Sequence, residues 1–135
     1  MSVISHTARL RVRYADTDQM GIVYYAKYLE YFEVARTELL RELGLPYRTL
    51  EEEGVALPVA DASLKYFKGA VYDDELLVTA TIDPLNSPRL PITYRVIRGS
   101  DDTLLAEGTT TLVFTDIKTW KPVRPPKRYL EAVGI

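Results

Sequence analysis

Two aspartates stand two residues apart in the run Tyr14-Ala15-Asp16-Thr17-Asp18-Gln19-Met20-Gly21-Ile22-Val23-Tyr24-Tyr25. The run separates a strand-like pattern from a helix-like one, so both carboxylates fall on a loop that leads into a helix N-terminus. Free N–H groups at a helix start carry partial positive charge and suit an oxyanion. A carboxylate just upstream can reach the same point as nucleophile or general base. Gly21 lets backbone and ligand approach closely. Two plainer readings use the same residues. One is turn formation and capping; the other is divalent-cation binding by Asp16 and Asp18, for which no third ligand lies nearby in sequence.

The flanking patterns supply the elements that must hold this loop. Residues 6–14 alternate, with Ala8, Leu10, Val12 and Tyr14 on one face and Arg9, Arg11 and Arg13 on the other, which predicts a half-buried strand. From about Tyr25 the period changes. Tyr28, Phe32, Ala35, Leu39 and Leu43 recur at helical steps and predict an amphipathic helix of roughly four to five turns, stopped by Gly44 and Pro46. Residues 47–54, with Glu51-Glu52-Glu53, read as a solvated turn or short helix. Strands are expected over Val55–Phe67 (bent near Pro58), Leu76–Ile82, Ile92–Arg98 and Leu104–Phe114, the last two joined as a hairpin through Gly99–Thr103. A tail with Trp120 and three prolines precedes a short helix, Arg128–Val133. One strand, one long helix and then a run of strands imply an α+β chain whose helix covers one face of an antiparallel sheet. A five-stranded antiparallel sheet wrapped around one long central helix is the hotdog arrangement.

Composition narrows the function. With 135 residues, the chain is expected to be one domain, 1–135. Its net charge of -2, with scattered basic residues, argues against nucleic acid as a partner. The absence of cysteine excludes disulfides, thiolate nucleophiles and Cys-ligated metals. No apolar run is long enough for an integral membrane segment or a signal peptide, so a cytoplasmic location is expected. No cofactor and no metal are expected. His6, the only histidine, falls at the start of the first strand, and Glu33 and Arg36 are spaced to pair along the helix.

The segment Y-A-D-T-D-x-x-G-I-V-Y-Y-A-x-Y-L-x-Y-F-E-x-A-R resembles the signature of the 4-hydroxybenzoyl-CoA thioesterase-like branch of the hotdog superfamily. That branch includes the acyl-CoA thioesterases associated with the bacterial Tol-Pal system. Lys65-Tyr66-Phe67 and Tyr72-Asp73-Asp74-Glu75-Leu76 extend the resemblance through the central strands. It implies an acyl-CoA thioesterase that releases free acid and CoA. Asp18 would be the catalytic carboxylate and Asp16 a structural neighbour. The backbone N–H of Tyr25 would polarise the thioester carbonyl, with help from Gly21, and Tyr14 would match an active-site aromatic. Many relatives carry histidine where this chain has Tyr25, so an imidazole role is lost while a backbone contact survives. One branch places two arginines near positions 86–87, where Asn86-Ser87 stand here. That leaves Lys65, Lys68, Arg89, Lys118 and Lys121 as candidates for the CoA phosphates. Trp120 could stack on the adenine or anchor the tail. The resemblance also implies a homodimer, assembling further to a homotetramer, with the active site between subunits. The competing reading is a non-catalytic acyl-CoA-binding or scaffold hotdog domain.

Overall fold

The computed structural model of the chain describes residues 3–135. Strand β1 (Ile4–Arg11) leads through a 3-10 turn at Tyr14–Asp16 to helix α1 (Lys27–Glu42) and a short α2 (Tyr47–Glu52). Strands β2 (Val55–Ala56), β3 (Val59–Tyr66), β4 (Glu75–Ile82), β5 (Arg89–Arg98), β6 (Leu104–Val113) and β7 (Thr115–Asp116) follow, and α3 (Lys127–Val133) closes the chain. The main sheet has five strands in the order β1-β4-β5-β6-β3. Every neighbouring pair in it is antiparallel.

Alternation decides which face of the sheet is dry. Leu76, Val78, Ala80 and Ile82 of β4 and Leu90, Ile92, Tyr94 and Val96 of β5 are all buried, while their neighbours are less so. Against that face α1 presents Tyr28, Tyr31, Phe32, Ala35, Leu39 and Leu40, spaced at three- and four-residue steps. Phe32 stacks on Tyr94, with ring centroids 4.2 Å apart and planes 4° from parallel. This close approach depends on Gly108 of β6. A Cβ there would stand 2.5 Å from Phe32 Cε2 and 2.6 Å from the Ser63 carbonyl oxygen.

The five-stranded α+β arrangement expected from the patterns is present, with three local differences. The long strand expected over Val55–Phe67 is divided at Pro58. That residue has no N–H to donate, and the two halves take different partners, β2 pairing with β7 and β3 with β6. Strand β1 ends before Tyr14, because its partner β4 begins at Glu75, opposite Arg11. Tyr14 therefore leaves the apolar face and is 79% exposed. Helix α1 begins two residues after Tyr25, following a turn in which the Lys27 N–H bonds the Tyr24 carbonyl at 2.9 Å.

Candidate functional site

Residues 16–24 fold back on themselves as a narrow loop. The Tyr24 N–H donates to the Asp16 carbonyl (2.8 Å) and the Asp18 N–H to the Ile22 carbonyl (2.9 Å), with Thr17 bridging Val23 between them. The tip closes through the Gly21 N–H donating to the Asp18 carbonyl at 2.9 Å, with Gly21 at φ 81°, a conformation that favours glycine. The Gly21 amide is thus occupied by the turn, and the residue shapes the loop rather than offering a donor.

The two aspartates occupy different environments. Asp16 is 2% exposed, and its carboxylate accepts the Arg13 N–H (3.0 Å), the Arg13 guanidinium (3.0 Å) and the Tyr31 hydroxyl (2.9 Å). Burial alone pushes its pKa up, but those three contacts outweigh it and hold the carboxyl below its ordinary 3.8. The same pairing raises the pKa of Tyr31, chiefly through burial and then through its bond to the Asp16 anion. Asp16 is therefore a fixed anion that ties the loop to α1. Asp18 is only half-buried. Its Oδ1 accepts the Met20 N–H at 2.8 Å, and Oδ2 has no hydrogen-bond partner among the described residues.

Asp18 lines an open cleft of about 260 Å³ with Met20, Ile22, Tyr25, Tyr28, Tyr66 and the stretch Phe67–Gly69. Tyr25, 62% exposed, sits at the mouth. Its carbonyl accepts the Tyr66 hydroxyl at 2.9 Å, whereas its N–H has no acceptor among the described residues. Asp18 and Tyr25, the latter with an unengaged N–H, thus line one largely apolar cleft, whose lining suits an acyl group.

The other sequence candidates are distributed unevenly. Lys68 lines the cleft. Tyr14 does not; it meets Tyr72 edge-on with ring centroids 5.6 Å apart. Lys65 lines a shallow hollow with Ser63, Thr93, Arg95, Glu107 and Thr109 on the outer face of the sheet. Arg89 pairs with Asp61 at 3.5 Å, at the end of β5 opposite Val113. Tyr66 lies opposite Ala106, and Ala106 opposite Val96, seven residues further along β5 and so roughly 23 Å away. Lys118 and Lys121 follow β7 at the same distant end. Trp120 there is 61% exposed, so burial of its ring does not anchor the tail; buried Tyr129 does, packed edge-on against Phe114. Sequence reasoning gave no role to Tyr31, which holds Asp16 from α1, nor to Phe67 and Gly69, which flank Lys68 in the cleft wall. All three act through contacts distant in sequence.

Comparison with known proteins agrees with this fold. A family model described as the thioesterase-like superfamily matches residues 12–133. The acyl-CoA thioesterase YbgC of Haemophilus influenzae is 36% identical over 119 residues, covering 87% of this chain and 86% of that protein. The crystal structure of a DHNA-CoA thioesterase from Staphylococcus aureus superposes with a TM-score of 0.91 at 29% identity, covering 97% of this chain and 89% of that one. An aspartate-to-asparagine mutant of 4-hydroxybenzoyl-CoA thioesterase, complexed with 4-hydroxybenzoyl-CoA, superposes with a TM-score of 0.85 at 25% identity over 95% of this chain and 97% of that one. By sequence and by fold, the chain belongs to the thioesterase-like superfamily.

Proposed function

We propose that this protein is an acyl-CoA thioesterase hydrolysing the thioester to free acid and CoA. Asp18 serves as nucleophile or general base and the Tyr25 amide as oxyanion donor. The observation that supports the reading is that Asp18 and Tyr25, whose N–H is unengaged among the described residues, line the same largely apolar cleft. The acyl group seats among Ile22, Tyr28 and Phe67, and the thioester carbonyl points to the Tyr25 amide. Charge developing on that oxygen is stabilised by the amide, a contribution on the order of 3 kcal/mol for one donor. Asp18 then attacks the carbonyl carbon to give a mixed anhydride, which water opens, or takes a proton from the water that attacks. Either way CoA leaves as the thiol.

The cleft is completed by a second copy. Strand β3 is a sheet edge, exposed along nearly its whole length. Antiparallel pairing of two β3 edges sets the Val59 end of one beside the Tyr66 end of the other. Arg89, Lys118 and Lys121 of one subunit would thereby approach the cleft of its partner, where Lys68 already stands, and together hold the CoA phosphates. Pairing of such dimers gives a tetramer.

The test is hydrolysis of short, long and aromatic acyl-CoAs, followed by the same assay on Asp18→Asn. The expected result is turnover of at least one class and a loss of about 10²- to 10⁴-fold in kcat in the variant, with CoA binding retained. Binding without turnover by the wild type would favour a non-catalytic acyl-CoA-binding domain, and a near-normal rate in Asp18→Asn would remove that residue from the chemistry. Single turnover in labelled water identifies an anhydride opened at the Asp18 carbonyl, because only that path places an enzyme oxygen in the product.

A further inference from the structure

The last residue of β5, Arg98, sends its guanidinium inward in three directions. Nε donates to Asp74 Oδ2 at 3.1 Å, Nη2 to the Gly69 carbonyl at 3.1 Å, and Nη1 to Asp101 Oδ2 at 3.0 Å. The same Asp74 oxygen also accepts the Val71 N–H at 3.0 Å. One side chain therefore grips the β3–β4 connection at two points. That connection is the cleft wall facing the Asp18 loop, since Phe67, Lys68 and Gly69 line the cleft while Arg98 does not. The two walls also meet directly. The Val23 N–H donates to the Ala70 carbonyl at 2.9 Å, and a Cβ on Gly69 would lie 2.8 Å from Ile22 Cγ2. Clearance between the walls is thus set at contacts where no atom can be added, by a loop whose outer side is clamped by a planar, rigid fork.

We propose that Arg98 is a positioning residue for the hydrolytic site, fixing the spacing between Ile22 and the Phe67–Gly69 wall and so selecting acyl groups by bulk. The proposal rests on the hydrolytic reading above. A purely stabilising role for the same side chain would lower the folded fraction and scale the rates for all substrates alike, leaving their ratios unchanged. A positioning role changes the ratios.

The experiment compares kcat and KM for butyryl-CoA and benzoyl-CoA in wild type, Arg98→Met and Arg98→Lys. Methionine keeps an apolar stem and removes all three donors; lysine keeps the charge without the fork and carries the test if the methionine variant does not fold. The ratio of the two kcat/KM values is expected to shift by about tenfold or more. Arg95→Met, on the outer face beside Glu107, should leave it within about twofold of wild type. An unshifted ratio in the Arg98 variants overturns the proposal. Amide hydrogen exchange gives a second readout independent of turnover. Val23 and Val71 should exchange about tenfold faster or more in the Arg98 variants, while the paired core of β4 and β5 is unchanged. If the wild type hydrolyses no CoA thioester, the hydrolytic reading falls, and the exchange rates alone decide the tether: unchanged rates at Val23 and Val71 overturn it.

Discussion

Asp16 and Asp18 differ by two positions in sequence and by everything that governs a carboxylate in structure. Asp16 is enclosed by Arg13 and Tyr31, and its pKa is lowered because those donors outweigh the cost of burial. A group whose folded pKa lies below its unfolded value stabilises the fold fully above the unfolded value, and that stabilisation is lost as pH falls through the folded one. Asp16→Asn should therefore cost about 2 kcal/mol in urea unfolding at neutral pH. The gap from wild type should close below about pH 4, as Asp16 itself becomes protonated. A gap that persists undiminished in acid would show that the side chain's shape, not its charge, holds the loop. The turn-forming reading of the Asp-x-Asp pair thus describes a real feature: each aspartate accepts a backbone N–H within the turn, while Asp18 also lines the cleft.

At the scale of elements, α1 fills the sheet and also ends at the cleft. Its position is set in the middle, where Phe32 lies on Tyr94 and presses against β6 at Gly108. Gly108→Ala would force a Cβ into both the Phe32 ring and the Ser63 carbonyl, so Phe32 must turn or β3 must part from β6. Overpacking of this kind costs about 1–3 kcal/mol. Thermal unfolding should report that loss, and an unchanged Tm would mean that the helix rides higher on the sheet than the stacked rings imply. The helix itself was legible in the spacing of Tyr28, Phe32, Ala35 and Leu39, because burial of one face imposes a 3.6-residue period. Its first residue was not. No side chain caps it, and the Tyr24–Lys27 turn that starts it carries no sequence mark.

For the whole molecule, the exposed edge of β3 is the feature a single chain leaves unresolved. Val59, 45% exposed, and Ala62 lie on that edge beside Leu29, Glu30, Glu33 and Arg36, which line the same shallow hollow. Lysine is a common device for blocking edge pairing. The double variant Val59→Lys with Ala62→Lys should sediment as a 15.3 kDa monomer, whereas the wild type should sediment as a dimer or larger. The variant should also lose activity, since Arg89, Lys118 and Lys121 then have no neighbouring cleft to serve. A monomeric wild type with full activity would remove the second copy from the site.

Strand and helix periods and the stop at Gly44 are local properties, and the sequence by itself determined them; at Pro58 it indicated a bend, where the structure divides the strand between two partners. Periodicity reports only which face of an element is buried, not what it is buried against. The tertiary structure alone decided that Asp16 is sealed while Asp18 faces a cleft, and that Tyr31 reaches back fifteen residues to hold the loop. It also decided that Arg98 reaches twenty-nine residues back to hold the facing wall. These outcomes depend on sheet register, which brings the β3–β4 connection against residues 18–23 through contacts that no local pattern encodes.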